Sequence, residues 1–225
     1  LHNAHRRQRQ MCIRDRTLPP ATHTNCYVLG VSGGERVIID PAAKSKDALD
    51  LLSKKIDEIK ATGSVIKATI YTHKHQDHIG NLEEIRKLYK APIWASKETL
   101  EAISELENNR VLEESDSFIL NGNNTSECWN VIETPGHCPG HICLVGNAGI
   151  VSGDNVSVIG TILVPSNDGD MNQYLHGLQR MKEFNPPLLF PGHGPFSANP
   201  EKLLNRYIKH RSKRHQLVLL SLIHI

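Results

Sequence analysis

Residues 72 to 81 read THKHQDHIGN, placing three histidines and an aspartate within six consecutive positions directly after the apolar run VIKATIY. Ser64 to Tyr71 has the composition of a strand, so the cluster lies beyond a strand's C-terminal end. Residues two apart on an extended segment point the same way. His73 and His75 can therefore face one ion, while Asp77 and His78, past the bend, can face a second. Chance is a poor explanation: at this composition H-x-H-x-D-H arises in roughly two chains per thousand of this length. Three further segments share its character: PGHCPGH at 135 to 141, SGD at 152 to 154 and PGHG at 191 to 194. Each follows an expected strand and supplies a metal-ligand residue type. Imidazoles and carboxylates buried together leave one another unsatisfied unless a cation sits among them. Gly136, Gly140, Gly153, Gly192 and Gly194 flank these residues and allow tight turns and close backbone approach. The isolated His23, His176, His210 and His215 read as surface or hydrogen-bonded residues.

Around these segments strands and helices alternate. TNCYVLG and ERVIID form a hairpin across VSGG, and Lys46 to Ile59 carries a helical apolar stripe at Ala48, Leu49, Leu52, Ile56 and Ile59. Asn81 caps a helix over 82 to 89, APIWA is a strand, and Ser96 caps the next helix. NGNN at 121 to 124 turns a hairpin between FIL and CWNVIET, and ICLV and GIVSGD are further strands. Asp170 with Gln173 opens a helix to about Phe184 in capping-box fashion. PPLLF returns as a strand, and Asn199 and Pro200 open a last helix running into the basic stretch IKHRSKRH. Mixed strands with interspersed helices predict an α/β (α+β) chain built as a four-layer αββα sandwich.

Both ends read as foreign. MCIRDR at 11 to 16 and LSLIHI at 220 to 225 can be encoded by the two strands of one short DNA sequence, which resembles a transposon end used in library preparation. Residues 1–16 and 220–225 are thus expected to be non-native, with the native stretch from about Thr17 to about Leu219. The formal charge of +2 depends on this, because residues 1 to 16 hold five arginines and one aspartate; without them it is −2. No whole-chain case for nucleic acid or membranes then remains. Five unevenly spaced cysteines with no C-x-x-C pair point to neither a disulfide framework nor a zinc ribbon, and a reducing cytoplasmic setting is expected. No apolar run approaches the roughly 20 residues that span a bilayer.

The four metal-type segments together resemble the metallo-β-lactamase fold superfamily, over about residues 24 to 196. The resemblance implies a domain over 17–198, followed at 199–219 by the start of a truncated C-terminal helical, winged-helix-like region. It also implies that His73, His75 and His137 hold one metal, that Asp77, His78 and His193 hold another, and that Asp154 bridges them. His141 is expected beside the ligands rather than among them, because the ligand set is already complete. Cys138 is adjacent to His137 and is expected to point away from the metals. Two divalent ions fit such donors, zinc first, with manganese or iron also acceptable. Ions about 3.5 to 4 Å apart bridge a water and make hydroxide available at neutral pH, and Asp77 can orient that nucleophile and take its proton.

His78 with Asp154 looks like a glyoxalase II type of site, and the 56-residue spacing of His137 and His193 leaves no room for the large insertion of the β-CASP nucleases. LPPATHTNCYVLG, GTILVPSNDGDMNQYLHGLQRM and FPGHGP look like the lactamase-like family that includes a mitochondrial endoribonuclease and stand-alone or Nudix-fused bacterial hydrolases. That likeness implies one of two activities. The first is hydrolysis of a small ester, thioester or lactone; the alternative is single-strand RNA cleavage, with RNA as partner. It also suggests a Nudix domain upstream. An aromatic content of 5% offers few bases a stacking platform, and the 209–215 run reads as a solvated face.

Overall fold

The computed structural model describes residues 9–13, 23–103 and 109–223. Most of the expected non-native ends lie outside them. Two mixed sheets form the centre. In the first, β1 (Arg9–Ile13), β2 (Thr24–Leu29), β3 (Glu35–Ile39), β4 (Val65–Ile70), β5 (Ile93–Ala95) and β6 (Arg110–Val111) lie side by side in chain order. The pairs β1–β2 and β2–β3 are antiparallel, and β3 through β6 run parallel. The pairing of β1 uses backbone groups that any edge strand offers, so it is indifferent to the origin of that segment. The second sheet runs β7 (Ser117–Asn121), β8 (Ser126–Glu133), β9 (Ile142–Gly146), β10 (Gly149–Gly153) and β11 (Leu189–Pro191), with β10 and β11 parallel and the rest antiparallel.

Alternation along the strands dictates the layering. On β2, Tyr27 and Leu29 point toward the second sheet, joining Val37, Ile70, Trp129, Val131, Leu144 and Phe190 in the central core. Cys26 and Val28 point the other way, onto Ala48, Leu52 and Ile56 of α1 (Lys46–Ala61) and Ile85 of α3 (Leu82–Leu88). On the outer face of the second sheet, Ile132, Cys143, Ile150 and Leu189 meet α5 (Met171–Glu183) and α6 (Pro200–Ile223). The order is helix, sheet, sheet, helix, as the residue pattern predicts. α2 (Gln76–Ile79) is a single turn after β4, and α4 (Lys97–Ile103) follows β5. Among the described residues no helix is long and apolar enough to cross a membrane.

Most caps form as their residue types require. Asn81 and Ser96 accept from Glu84 N–H and Thr99 N–H, each at 3.3 Å. Asp170 accepts from Asn172 and Gln173 N–H, but the reciprocal half of a capping box is replaced: Asp170 N–H donates to Gly136 O at 2.8 Å. That bond ties α5 to the PGH segment. Beyond Pro200 the described chain is one continuous helix.

Strand direction then gathers the site. β8, β10 and β11 all point the same way, because β9 lies antiparallel between β8 and β10 while β11 is parallel to β10. Their C-terminal loops emerge on one edge of the sandwich. The end of β4 joins that edge through Ile142 N–H to Thr72 O at 2.9 Å, and the start of β2 joins it through Asn25 N–H to Gly192 O at 2.7 Å.

Candidate metal centre

The seven residues expected as ligands converge on this edge. His73 Nε2 lies 3.1 Å from His75 Nδ1, and His137 Nε2 lies 2.9 Å from the same atom. On the other side, His193 Nε2 is 3.3 Å from His78 Nε2 and 3.4 Å from Asp77 Oδ2. Asp154 stands between the two groups, with Oδ1 3.3 Å from His78 and Oδ2 3.3 Å from His193 and 3.7 Å from His137. His73, His75 and His137, and separately Asp77, His78 and His193, could each hold a metal ion, since their donor atoms lie within 4.8 Å of one another. Gly192 is required by this crowding: a Cβ there would fall 2.5 Å from Asp154 Oδ1 and 2.6 Å from His78 Cε1.

Each ring has an acceptor behind it, and the acceptors decide which nitrogen faces inward. His73 Nδ1–H donates to Thr72 Oγ1 at 3.0 Å, His78 Nδ1–H to Asp40 Oδ2 at 2.9 Å, His137 Nδ1–H to Leu163 O at 2.7 Å and His193 Nδ1–H to His23 O at 3.1 Å. The second histidine is turned over, with His75 Nε2 facing Asp168 Oδ2 at 3.5 Å, so its Nδ1 points into the cluster. Inner lone pairs therefore oppose one another at 2.9 to 3.3 Å. Asp154 Oδ1 is buried and has no hydrogen-bond partner, with His78 Nε2 3.3 Å away. Crowded lone pairs around an unpartnered buried carboxylate oxygen fit a divalent cation.

His141 is not part of the cluster of donors. Its Nε2 accepts from Asp154 N–H at 3.1 Å and its Nδ1–H donates to Thr134 Oγ1 at 3.0 Å, so it holds the peptide behind the Asp154 carboxylate. The Cys138 sulfur lies with His75 and Asp168 rather than among the inner nitrogens, and burial pushes its thiol up to about 12. Asp40 escaped the sequence reading. Its carboxylate accepts from Thr72 N–H at 2.8 Å, Thr72 Oγ1–H at 2.7 Å and His78 Nδ1–H at 2.9 Å. Its signal was its place, directly after β3 and beside the strand that carries the histidine cluster.

Without a cation, protons fill the gap. Burial opposes charge on His193, but the Asp154 and Asp77 carboxylates outweigh it and hold the ring's pKa up at about 9. Burial likewise opposes charge on His78, yet Asp154 and Asp40 raise it. For His73, His137 and His141 burial prevails and keeps the rings neutral. A raised folded-state pKa stabilises the protein fully below the unfolded value of about 6.5 and is lost as pH climbs through the folded value. Metal-free protein should therefore lose thermal stability between pH 6.5 and about 9. Protein loaded with a divalent ion should be flat over that window, because the ion has displaced the protons. Melting curves of chelator-treated and zinc-supplemented samples at three pH values check this; parallel curves would contradict it.

Residues 19–193 match the model of the metallo-beta-lactamase superfamily. The chain belongs to this superfamily. A beta-lactamase-like protein 2 homolog of Drosophila melanogaster is 29% identical over 206 residues, 87% of this chain and 67% of that protein. An atrochrysone carboxyl ACP thioesterase of Aspergillus fumigatus is 26% identical over 204 residues, 90% of this chain and 60% of that one. The chain thus spans 60 to 67% of these relatives' lengths. A metallo-beta-lactamase family protein of Thermus thermophilus has the same fold, with a TM-score of 0.76 at 18% identity over 96% of this chain and 82% of that one. Superfamily membership with this His/Asp cluster makes the chain a metal-dependent hydrolase.

Proposed function

We propose that the site is a binuclear centre that hydrolyses a small ester, thioester or lactone, in the manner of glyoxalase II. The observation that carries the two-ion reading is Asp154, whose buried Oδ1 lies by His78 and whose Oδ2 lies between His193 and His137, so that one carboxylate reaches both histidine groups. His73, His75 and His137 would hold one ion, Asp77, His78 and His193 the second, and Asp154 would touch both; imidazole and carboxylate donors suit zinc, with iron or manganese also accommodated. Two such ions supply a hydroxide nucleophile at neutral pH and stabilise the oxyanion formed on attack.

The chain's own residues divide the remaining work by exposure. Asp154 is nearly closed off, at 10% side-chain exposure, and serves as a structural bridge. Asp77, at 33%, is the carboxylate open to solvent and substrate, and it can orient the nucleophile and take its proton. Thr24 Oγ1–H holds the Asp77 backbone carbonyl at 2.7 Å, fixing the short turn that presents it. The rim favours an acyl substrate: Ile159 and Leu163, on the loop whose carbonyl orients His137, are 58% and 61% exposed. Lys74, the nearby cation, is already paired with Asp168 at 2.8 Å. The likeness to an ACP thioesterase supports the same substrate class.

The second reading, RNA cleavage, rests on the resemblance of LPPATHTNCYVLG and FPGHGP to the lactamase-like branch. Among the described residues, however, the exposed aromatic side chains are Phe184 and Phe196, a small platform for stacked bases. Turnover of a generic thioester and of a labelled single-stranded RNA, measured on the parent and a His75→Ala variant, separates the two. Thioester turnover in the parent alone is expected. RNA cleavage without thioester turnover would transfer the site to the second reading, and activity surviving His75→Ala would exclude metal chemistry altogether.

A further inference from the structure

Residues 155–169 form neither helix nor strand, yet their backbone is heavily bonded by side chains. Asn155 O accepts from Tyr174 Oη–H at 2.5 Å, Ser157 O from Tyr207 Oη–H at 3.0 Å, and Ile159 O from Ser157 Oγ–H at 2.7 Å. Arg206 donates to Val158 O at 3.2 Å, and the guanidinium of Arg211 donates to Ile162 O. The next carbonyl along, Leu163 O, is the one that takes the His137 Nδ1 proton at 2.7 Å. Arg206, Tyr207 and Arg211 all belong to α6, the last two being one helical turn apart. Arg211 is 9% exposed and stacks over the Tyr174 ring with Cζ 5.7 Å from the centroid, whereas Arg206 is exposed. A buried guanidinium that donates to the Ile162 carbonyl and lies over the Tyr174 ring ties α6 to the peptide that orients a metal-type histidine.

We propose that Arg211 is a positioning residue for His137. By holding the Ile162 carbonyl it fixes the following peptide, so that Leu163 O stays on His137 Nδ1 and the Nε2 lone pair stays turned into the cluster. The last helix is in that sense part of the metal centre. This rests on the binuclear reading above. A packing role alone would affect the whole fold; a positioning role acts through His137.

The test is zinc affinity, measured on the full chain by competition with a chromophoric chelator, with thermal melts alongside. Arg211→Met keeps the buried stem and removes the donor; Arg206→Ala removes an exposed contact to the same loop. Arg211→Met should weaken the His137-dependent zinc equivalent by about tenfold or more, the scale of losses behind a ligand. Arg206→Ala should stay within about twofold. In a His137→Ala background, Arg211→Met should change the remaining zinc affinity no further, because the residue it acts through is gone. Unchanged affinity in Arg211→Met, or an equal loss with and without His137, would overturn the proposal. If Arg211→Met does not fold, Arg211→Leu takes its place: it too removes the donor, so the same weakening and the same dependence on His137 are expected. A parent that holds no zinc defeats the binuclear reading and this inference together; a parent that holds zinc with no Arg211 effect defeats this inference alone.

Discussion

Asp154→Ala should leave a folded chain that retains at most one tightly held metal equivalent and loses hydrolytic rate by more than about 100-fold, the scale set by removing one electrostatic stabiliser. Two causes combine. The carboxylate lies 3.3 to 3.7 Å from histidines of both halves of the cluster, so its loss uncouples them. Together with Asp40 and Asp77 it also raises His78 and His193 against their burial, so its loss weakens the hold of both rings on their protons in the metal-free protein. The peptide itself should stay in place, because Asp154 N–H is held by His141 Nε2 at 3.1 Å. Metal content and thioester turnover measured on one sample decide the matter. Two equivalents with parent-like turnover would remove Asp154 from the bridge.

Asp40→Asn should lose about 10- to 100-fold in affinity for the His78 ion while keeping the fold. The reasoning is one of protons. Asp40 has only acceptors, and it spends them on Thr72 N–H, Thr72 Oγ1–H and His78 Nδ1–H at 2.7 to 2.9 Å. An asparagine that keeps its oxygen on Thr72 N–H turns its amide N–H group toward His78. The ring must then accept at Nδ1 and carry its proton on Nε2, so the lone pair aimed at the cluster is lost. Backbone strain does not confuse the result: Asp40 sits at φ 46, a region that asparagine also tolerates. Zinc titration of this variant against the parent reads the effect, and equal affinities would show that the tautomer of His78 is set elsewhere.

How far the sequence reaches is clear from particular residues. His73, His75, Asp77, His78, His137, Asp154 and His193 were legible because they are rare types placed directly after strands, and strand direction brings those ends to one edge. The sandwich was legible because alternation on β2 and β8 assigns each residue a face. Asp40 was not, since a carboxylate between a strand and a proline is also ordinary turn chemistry. The carbonyls of Leu163 and His23, which set two tautomers, are backbone atoms and leave no trace in residue type. The basic run on α6 has the residue pattern of a solvated face. Lys209, His210, Lys213 and Arg214 are indeed exposed, but Arg211 within it is buried, because one side of every helix turn meets its neighbour.

The claim on which all of this depends is that the cluster holds two ions. Metal analysis by mass spectrometry on the purified chain tests it directly, with a melting curve to show that the sample is folded. About two equivalents per chain are expected, falling when His137 or His193 is replaced by alanine. A well-folded sample that takes up no divalent metal, even when it is supplied in excess, would contradict the account and leave the fold without its chemistry.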